Sequence, residues 1–248
     1  MTALHLLGTV GYHPSQSRHT TCLMIPEDGI VLDAGTAFFR VRDHLKTSNL
    51  DIFLTHAHLD HSCGLTFLLD VLWNKPVKSV TLHARASDIT AVTTLLFNTP
   101  LFPLKFTYGL KTLEPEFGLG KWAIRTRNQR HPGGSIGYRF ESGASSFAFI
   151  TDTTADPTDR EAVEFVQGVD LLIHECNFPD EMLQLAIDSG HSTGSAVGEF
   201  AKAADVKRLV LTHCSPLCEA PMLERIRTQA AKAFSGCQWA TDEMILEF

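Results

Sequence analysis

Short apolar runs bounded by Gly, Pro and polar residues recur along this chain from its first residues. LHLLGTV, TTCLMIP and GIVLDAG come first and read as strands. NLDIFLT (49–55) is almost continuously apolar, as suits a strand covered on both faces. CGLTFLLDVLW (63–73) predicts a helix, VKSVTLHA another strand, and ASDITAVTTLLFN a second helix. The segment 99–120 holds three prolines and little periodicity, and predicts an irregular rim or lid. KWAIRTRNQRH, SIGYRFES and SSFAFITD predict three successive strands, the first two with one face toward solvent. DLLIHEC and KRLVLTHCSP are short apolar strands, and between them STGSAVGEFAKAAD predicts a helix N-capped by Ser192 or Thr193. PMLERIRTQAAKAF predicts a last helix before a terminal strand. With no repeat, low-complexity tract or linker, the expectation is a single α/β domain over residues 1–248.

One pattern recurs in these elements: an apolar strand, then His or Asp at its C-terminal end, then a loop. It occurs at Thr55/His56, Thr151/Asp152, His174/Glu175 and Thr212/His213. Open α/β sheets place their ligands at that edge.

Composition narrows the classes. At 44% hydrophobic and 20% charged, the 248 residues are those of a soluble globular protein. A net charge of −7 argues against broad nucleic-acid affinity, which usually goes with a basic face. No apolar run approaches the ~20 residues that cross a bilayer. The start MTALHLLGTVGYHPS lacks the basic opening of a signal peptide. The expectation is a cytoplasmic protein with no membrane partner. Six scattered cysteines without a C-x-x-C pair read as reduced, buried thiols.

The densest chemistry is THAHLDH, where His56, His58, Asp60 and His61 fall within six positions. Alternation in H-x-H-x-D-H sets His56, His58 and Asp60 on related faces of an extended loop, with His61 pointing elsewhere. One segment can therefore serve two neighbouring metals. Imidazole nitrogen and carboxylate oxygen suit divalent first-row ions at about 2.0–2.2 Å. His131, Asp152 and His213, each just beyond a strand, are the further candidates.

In that order the set resembles the metallo-β-lactamase-fold hydrolases. Thr55–His61 matches their H-x-H-x-D-H motif, and Asp33 of IVLDAG matches a motif that supports the site without binding metal. The resemblance implies a four-layer αβ/βα sandwich with two mixed β-sheets and a dinuclear site. One metal takes His56, His58 and His131; the other takes Asp60, His61 and His213; Asp152 bridges them. Zn²⁺ is the first expectation, with Mn²⁺, Fe²⁺ or Ni²⁺ as alternatives.

The closer likeness is to the ribonuclease Z and phosphodiesterase branch, carried by LGTVGYHPSQSRHTT, HPGGSIGYRF, LLIHECNF, GHSTGSA and LVLTHCSP. It implies that His191 and Glu175 act together on the leaving group. The expected reaction is attack on a phosphodiester by a hydroxide held between the metals. Asp60 or Asp152 aims that hydroxide, and His191 serves as acid.

Substrate class is less constrained. No basic, Gly-rich arm of the kind that grips transfer RNA interrupts the motifs, and LCEAP stands where an Arg-Tyr pair is common. A small or cyclic phosphodiester is therefore the first expectation. Alternatives are ribonuclease Z-like processing of transfer-RNA 3′ ends, or a lactonase or thioesterase of the same fold. A homodimer is the assembly the resemblance suggests.

Overall fold

The computed structural model describes residues 2–143 and 145–248. In chain order its strands are β1 (Ala3–Gly8), β2 (Cys22–Ile25), β3 (Ile30–Leu32), β4 (Asn49–Phe53) and β5 (Ser79–Ala84). Next come β6 (Gly109–Thr112), β7 (Glu116–Leu119), β8 (Trp122–Gln129), β9 (Ser135–Ser142) and β10 (Ser145–Ile150). The last are β11 (Leu171–Glu175), β12 (Leu209–Thr212), β13 (Gln238–Trp239) and β14 (Met244–Glu247). They form two seven-stranded mixed sheets, each within one of two compact units.

The first unit comprises Thr2–Glu114 and Thr241–Glu247. Its sheet runs β14-β1-β2-β3-β4-β5-β6, antiparallel as far as β3 and parallel beyond it. Met24, Val31, Leu50 and Ile52 from the strands pack with Phe38, Leu65 and Leu68 from the helical segments, all buried. The C-terminal strand is fixed by register Leu4↔Leu246 and by Asp242, whose carboxylate accepts from the Thr9 hydroxyl and the His19 N–H.

The second unit comprises Pro115–Ala240 with Phe248. Its sheet runs β13-β12-β11-β10-β9-β8-β7, parallel as far as β10 and antiparallel beyond it. Helices Gly194–Ala203 and Ala220–Ala231 bury Val197, Phe200 and Ile226 in a core with Leu172 and Leu211. A separate aromatic layer stacks Phe140 on Phe147 at 4.8 Å, with Trp122 edge-on to both.

Several expectations need correction. The segment 99–120 contributes two edge strands, β6 and β7, because backbone pairing to β5 and β8 supplies what its side-chain pattern lacks. Strand β9 is buried over six consecutive residues and has no solvent face. The run 63–73 is broken into a 3₁₀ segment, Cys63–Phe67, and a short helix, Leu68–Leu72. Gly64 is packed so tightly there that a Cβ would lie 2.3 Å from the Gly35 carbonyl oxygen. Thr193 is the N-cap residue of its helix, without a side-chain cap, while the Ser192 hydroxyl is engaged elsewhere. All six cysteines are free thiols.

Candidate metal centre

In each unit parallel strands release their chains at C-terminal ends that carry most of the candidate residues; His131 follows the antiparallel β8 and His191 precedes a helix. In the first unit, register Leu32↔Phe53 brings Asp33 beside Thr55 at the ends of β3 and β4. The Asp33 carboxylate accepts from the Thr55 N–H at 2.7 Å and the Thr55 hydroxyl at 2.9 Å. It also accepts from His61 Nδ1 at 2.8 Å, and neither of these two side chains is exposed. Desolvation pushes the Asp33 carboxyl above its usual range; the His61 ring and the Thr55 bonds oppose this.

The histidine loop follows at once. The His56 ring lies 4.4 Å from His58 and 4.3 Å from His61, and Asp60 Oδ2 is 3.4 Å from His61 Nε2. His56 and His61 are buried, Asp60 is half-buried and His58 exposed. Two contacts fix the loop. The Tyr12 N–H donates to Asp60 Oδ2 at 2.7 Å, and Gly35 sits so close that a Cβ would fall 2.2 Å from the Asp60 carbonyl oxygen.

In the second unit, registers Ile150↔His174 and Glu175↔Thr212 level the ends of β10, β11 and β12. Asp152, with φ 48°, and His213, with φ 54°, both take the left-handed conformation that turns the chain sharply off a strand. Asp33 does the same at φ 59°. Asp152 Oδ1 lies 3.2 Å from His213 Nε2, and its Oδ2 lies 3.4 Å from His131 Nε2. One ligand atom from each of Asp152, His191 and His213 falls within 4.8 Å of the others. His191 Nδ1 is 3.5 Å from Glu175 Oε1, and Glu175 is fully buried.

These donors fit a cation. His131 Nδ1–H donates to the Gly190 carbonyl at 3.1 Å, which leaves Nε2, facing the Asp152 carboxylate, as the nitrogen that would bind a metal. His61 repeats the arrangement: Nδ1–H is committed to Asp33, and Nε2 turns toward Asp60. An imidazole nitrogen and a carboxylate oxygen facing each other are the donor types that would hold a divalent ion between them.

The residues beneath these ligands include several that sequence reasoning passed over. Thr55 braces Asp33; the Thr151 hydroxyl donates to Asp152 at 2.7 Å; the Asn177 amide donates to the His213 carbonyl at 3.1 Å. Ser192 donates to the Thr153 carbonyl and accepts from the Ala155 N–H. A threonine precedes His56, Asp152 and His213 alike, and that repeated Thr was the available signal. Other polar residues near these strands are engaged in local pairs. Arg127 pairs with Asp159 at 2.8 Å, Arg130 lies 3.9 Å from Asp156, and Ser135 bonds the Thr151 carbonyl. His174 is buried, its basicity lowered by desolvation, and its Nδ1 donates to the Glu175 carbonyl.

A family model described as "Beta-lactamase superfamily domain" matches residues 29–214, which include every candidate ligand. The chain belongs to this superfamily. It has the metallo-β-lactamase fold, as the sequence motifs imply, and is a metal-dependent hydrolase. It is 28% identical over 300 aligned positions to a ribonuclease Z of Archaeoglobus fulgidus, covering 97% of this chain and 96% of the relative. Among solved structures it resembles the metallo-β-lactamase fold protein YhfI of Bacillus subtilis, with a TM-score of 0.82 and 20% identity. That match covers 100% of this chain and 99% of the other. It also resembles the short form of human tRNase Z, with a TM-score of 0.74 and 22% identity over 99% and 98% of the two chains. Among the described residues no helix is long and apolar enough to cross a membrane.

Proposed function

We propose that this chain is a dinuclear, metal-dependent phosphodiesterase of the ribonuclease Z type, working as one hydrolase domain. His56, His58 and His131 hold one ion and Asp60, His61 and His213 the other, with Asp152 shared. The observation that carries this reading is the paired arrangement at His61 and His131. In both, Nδ1 is held as donor and Nε2 is aimed at a carboxylate. Zinc is the ion we propose, and the cytoplasm the compartment.

When bound, two such ions supply a nucleophilic water near neutral pH and neutralise charge on the phosphoryl oxygens. The chain's own residues do the rest. Asp60 and Asp152 accept a hydrogen bond from the attacking water and aim it in line. Asp33, Thr55 and the Gly190 carbonyl hold the imidazoles in the ligating tautomer. His191 gives a proton to the departing oxygen, and buried Glu175 beside its Nδ1 favours the protonated ring.

The sequence placed a small or cyclic diester first. The curated relatives are named ribonuclease Z, so RNA becomes the first substrate class. One observation favours the smaller diester: the 300 aligned positions exceed the chain's 248 residues, so the relative carries segments with no counterpart here. The test is a zinc-loaded chain offered bis-p-nitrophenyl phosphate, a transfer-RNA precursor with a 3′ trailer, and 2′,3′-cyclic nucleotides. Trailer removal establishes the RNA reading, and cyclic-nucleotide turnover alone establishes the smaller one. Turnover of lactones or thioesters with none of the diesters removes both.

A further inference from the structure

Beside His191 and His213, the second unit contains an apolar recess that the hydrolytic chemistry leaves unused. It measures about 530 Å³ and is walled by Phe178, Met182, Leu217, Pro221 and Met222. It adjoins the reacting residues through two links. The Phe178 ring lies 6.1 Å from that of His191, and Asn177, another wall residue, donates to the His213 carbonyl. Much of its wall is the LCEAP stretch that follows LTHCSP.

The chemistry of the walls selects the occupant. None of the described lining residues is Lys or Arg, and Glu219 is the charged one, so a phosphate group is not what this recess receives. Its volume falls within the ~300–1,000 Å³ typical of small-molecule sites. Leu217 is 80% exposed and Met182 39%, large apolar side chains that a flat ligand would cover. Thioether and phenyl groups are good faces for a planar ring.

We propose that the recess binds a nucleobase of the substrate, on the leaving-group side of the scissile phosphodiester. This rests on the phosphodiesterase reading and on His191 serving the departing oxygen. Because Phe178 neighbours His191, a base seated in the recess belongs to the nucleoside whose oxygen leaves.

The experiment uses the zinc-loaded full chain with uridylyl-uridine and two analogues, each with one nucleoside replaced by an abasic ribose. Bis-p-nitrophenyl phosphate is measured alongside, and chromatography identifies which alcohol departs. Loss of the leaving-side base lowers kcat/KM about tenfold or more, mostly through KM, and loss of the other base changes it less than about threefold. Leu217→Gln and Met182→Gln, both at exposed rim positions, bring uridylyl-uridine close to the abasic value and leave the leaving-side abasic analogue unchanged. Cleavage indifferent to the leaving-side base overturns the proposal. So does the absence of dinucleotide cleavage by a chain that hydrolyses bis-p-nitrophenyl phosphate. No turnover of any diester removes the phosphodiesterase reading itself, and this inference with it.

Discussion

Asp33 and His61 meet through a 2.8 Å bond between carboxylate Oδ2 and ring Nδ1, both fully shielded from water. The bond fixes one tautomer and leaves Nε2 as the electron-pair donor. Asp33→Asn keeps the shape and removes the charge that makes the imidazole basic. Zinc affinity should fall about 10- to 100-fold, read by competition with a chromogenic chelator. An affinity within twofold of the wild type would show that Asp33 braces the fold alone.

Chelation should abolish hydrolysis of bis-p-nitrophenyl phosphate, and zinc or manganese should restore it. Binding to the folded chain also raises stability, by about 2.7 kcal/mol at a hundred times Kd. The Tm of the chelated chain should therefore climb with zinc concentration. His131→Ala and His213→Ala should each flatten that climb. A Tm indifferent to zinc in the wild type would count against a metal centre.

His191→Ala separates proton donation from metal chemistry. An alkoxide leaving group needs a proton, and a positioned acid typically contributes about 10²- to 10⁴-fold. The variant should lose that factor on dialkyl or dinucleoside diesters and far less on p-nitrophenyl ones. Equal losses on both would assign His191 to coordination, which its closeness to Asp152 and His213 also permits.

Asp170 joins β10 to β11 away from the candidate site. Its carboxylate accepts from Lys207 at 2.6 Å and from the Ser146 N–H and hydroxyl at 2.7 and 2.9 Å. The Lys207 bond, with the Ser146 bonds, holds its pKa below the usual 3.8 against the cost of burial. A depressed folded-state pKa stabilises at pH above the unfolded value and loses that contribution as pH falls through the folded one. Lys207 is mostly exposed and contributes little, so the Ser146 bonds dominate. Asp170→Asn should cost about 1–2 kcal/mol at neutral pH. The Tm difference from wild type should close as pH drops below the ordinary carboxylate range. A difference that persists well below that range would assign the effect to packing.

What could be read from the residues was chemistry local to a short stretch. Alternating or continuous apolar runs marked β1 to β5 and β8 to β12, because strand burial imposes a period of two or none. Strands β6 and β7 were illegible, since an edge strand is held by backbone bonds to one neighbour and its side chains face largely outward. The helices Arg160–Val166 and Leu183–Ser189 were missed because each is seven residues long, about two turns, too few repeats for a 3.6-residue period to stand out.

The sequence by itself determined the inventory of donors. The histidines of THAHLDH, together with His131, Asp152 and His213, are identities that no folding event alters. Only the tertiary structure decided which nitrogen of His61 and of His131 faces a carboxylate. That choice is made by partners distant in the chain, Asp33 for His61 and the Gly190 carbonyl for His131. It is enforced by left-handed turns at Asp33, Asp152 and His213. Those turns are sterically unfavourable in isolation and persist because the strand leading into each is held in parallel register by a neighbour.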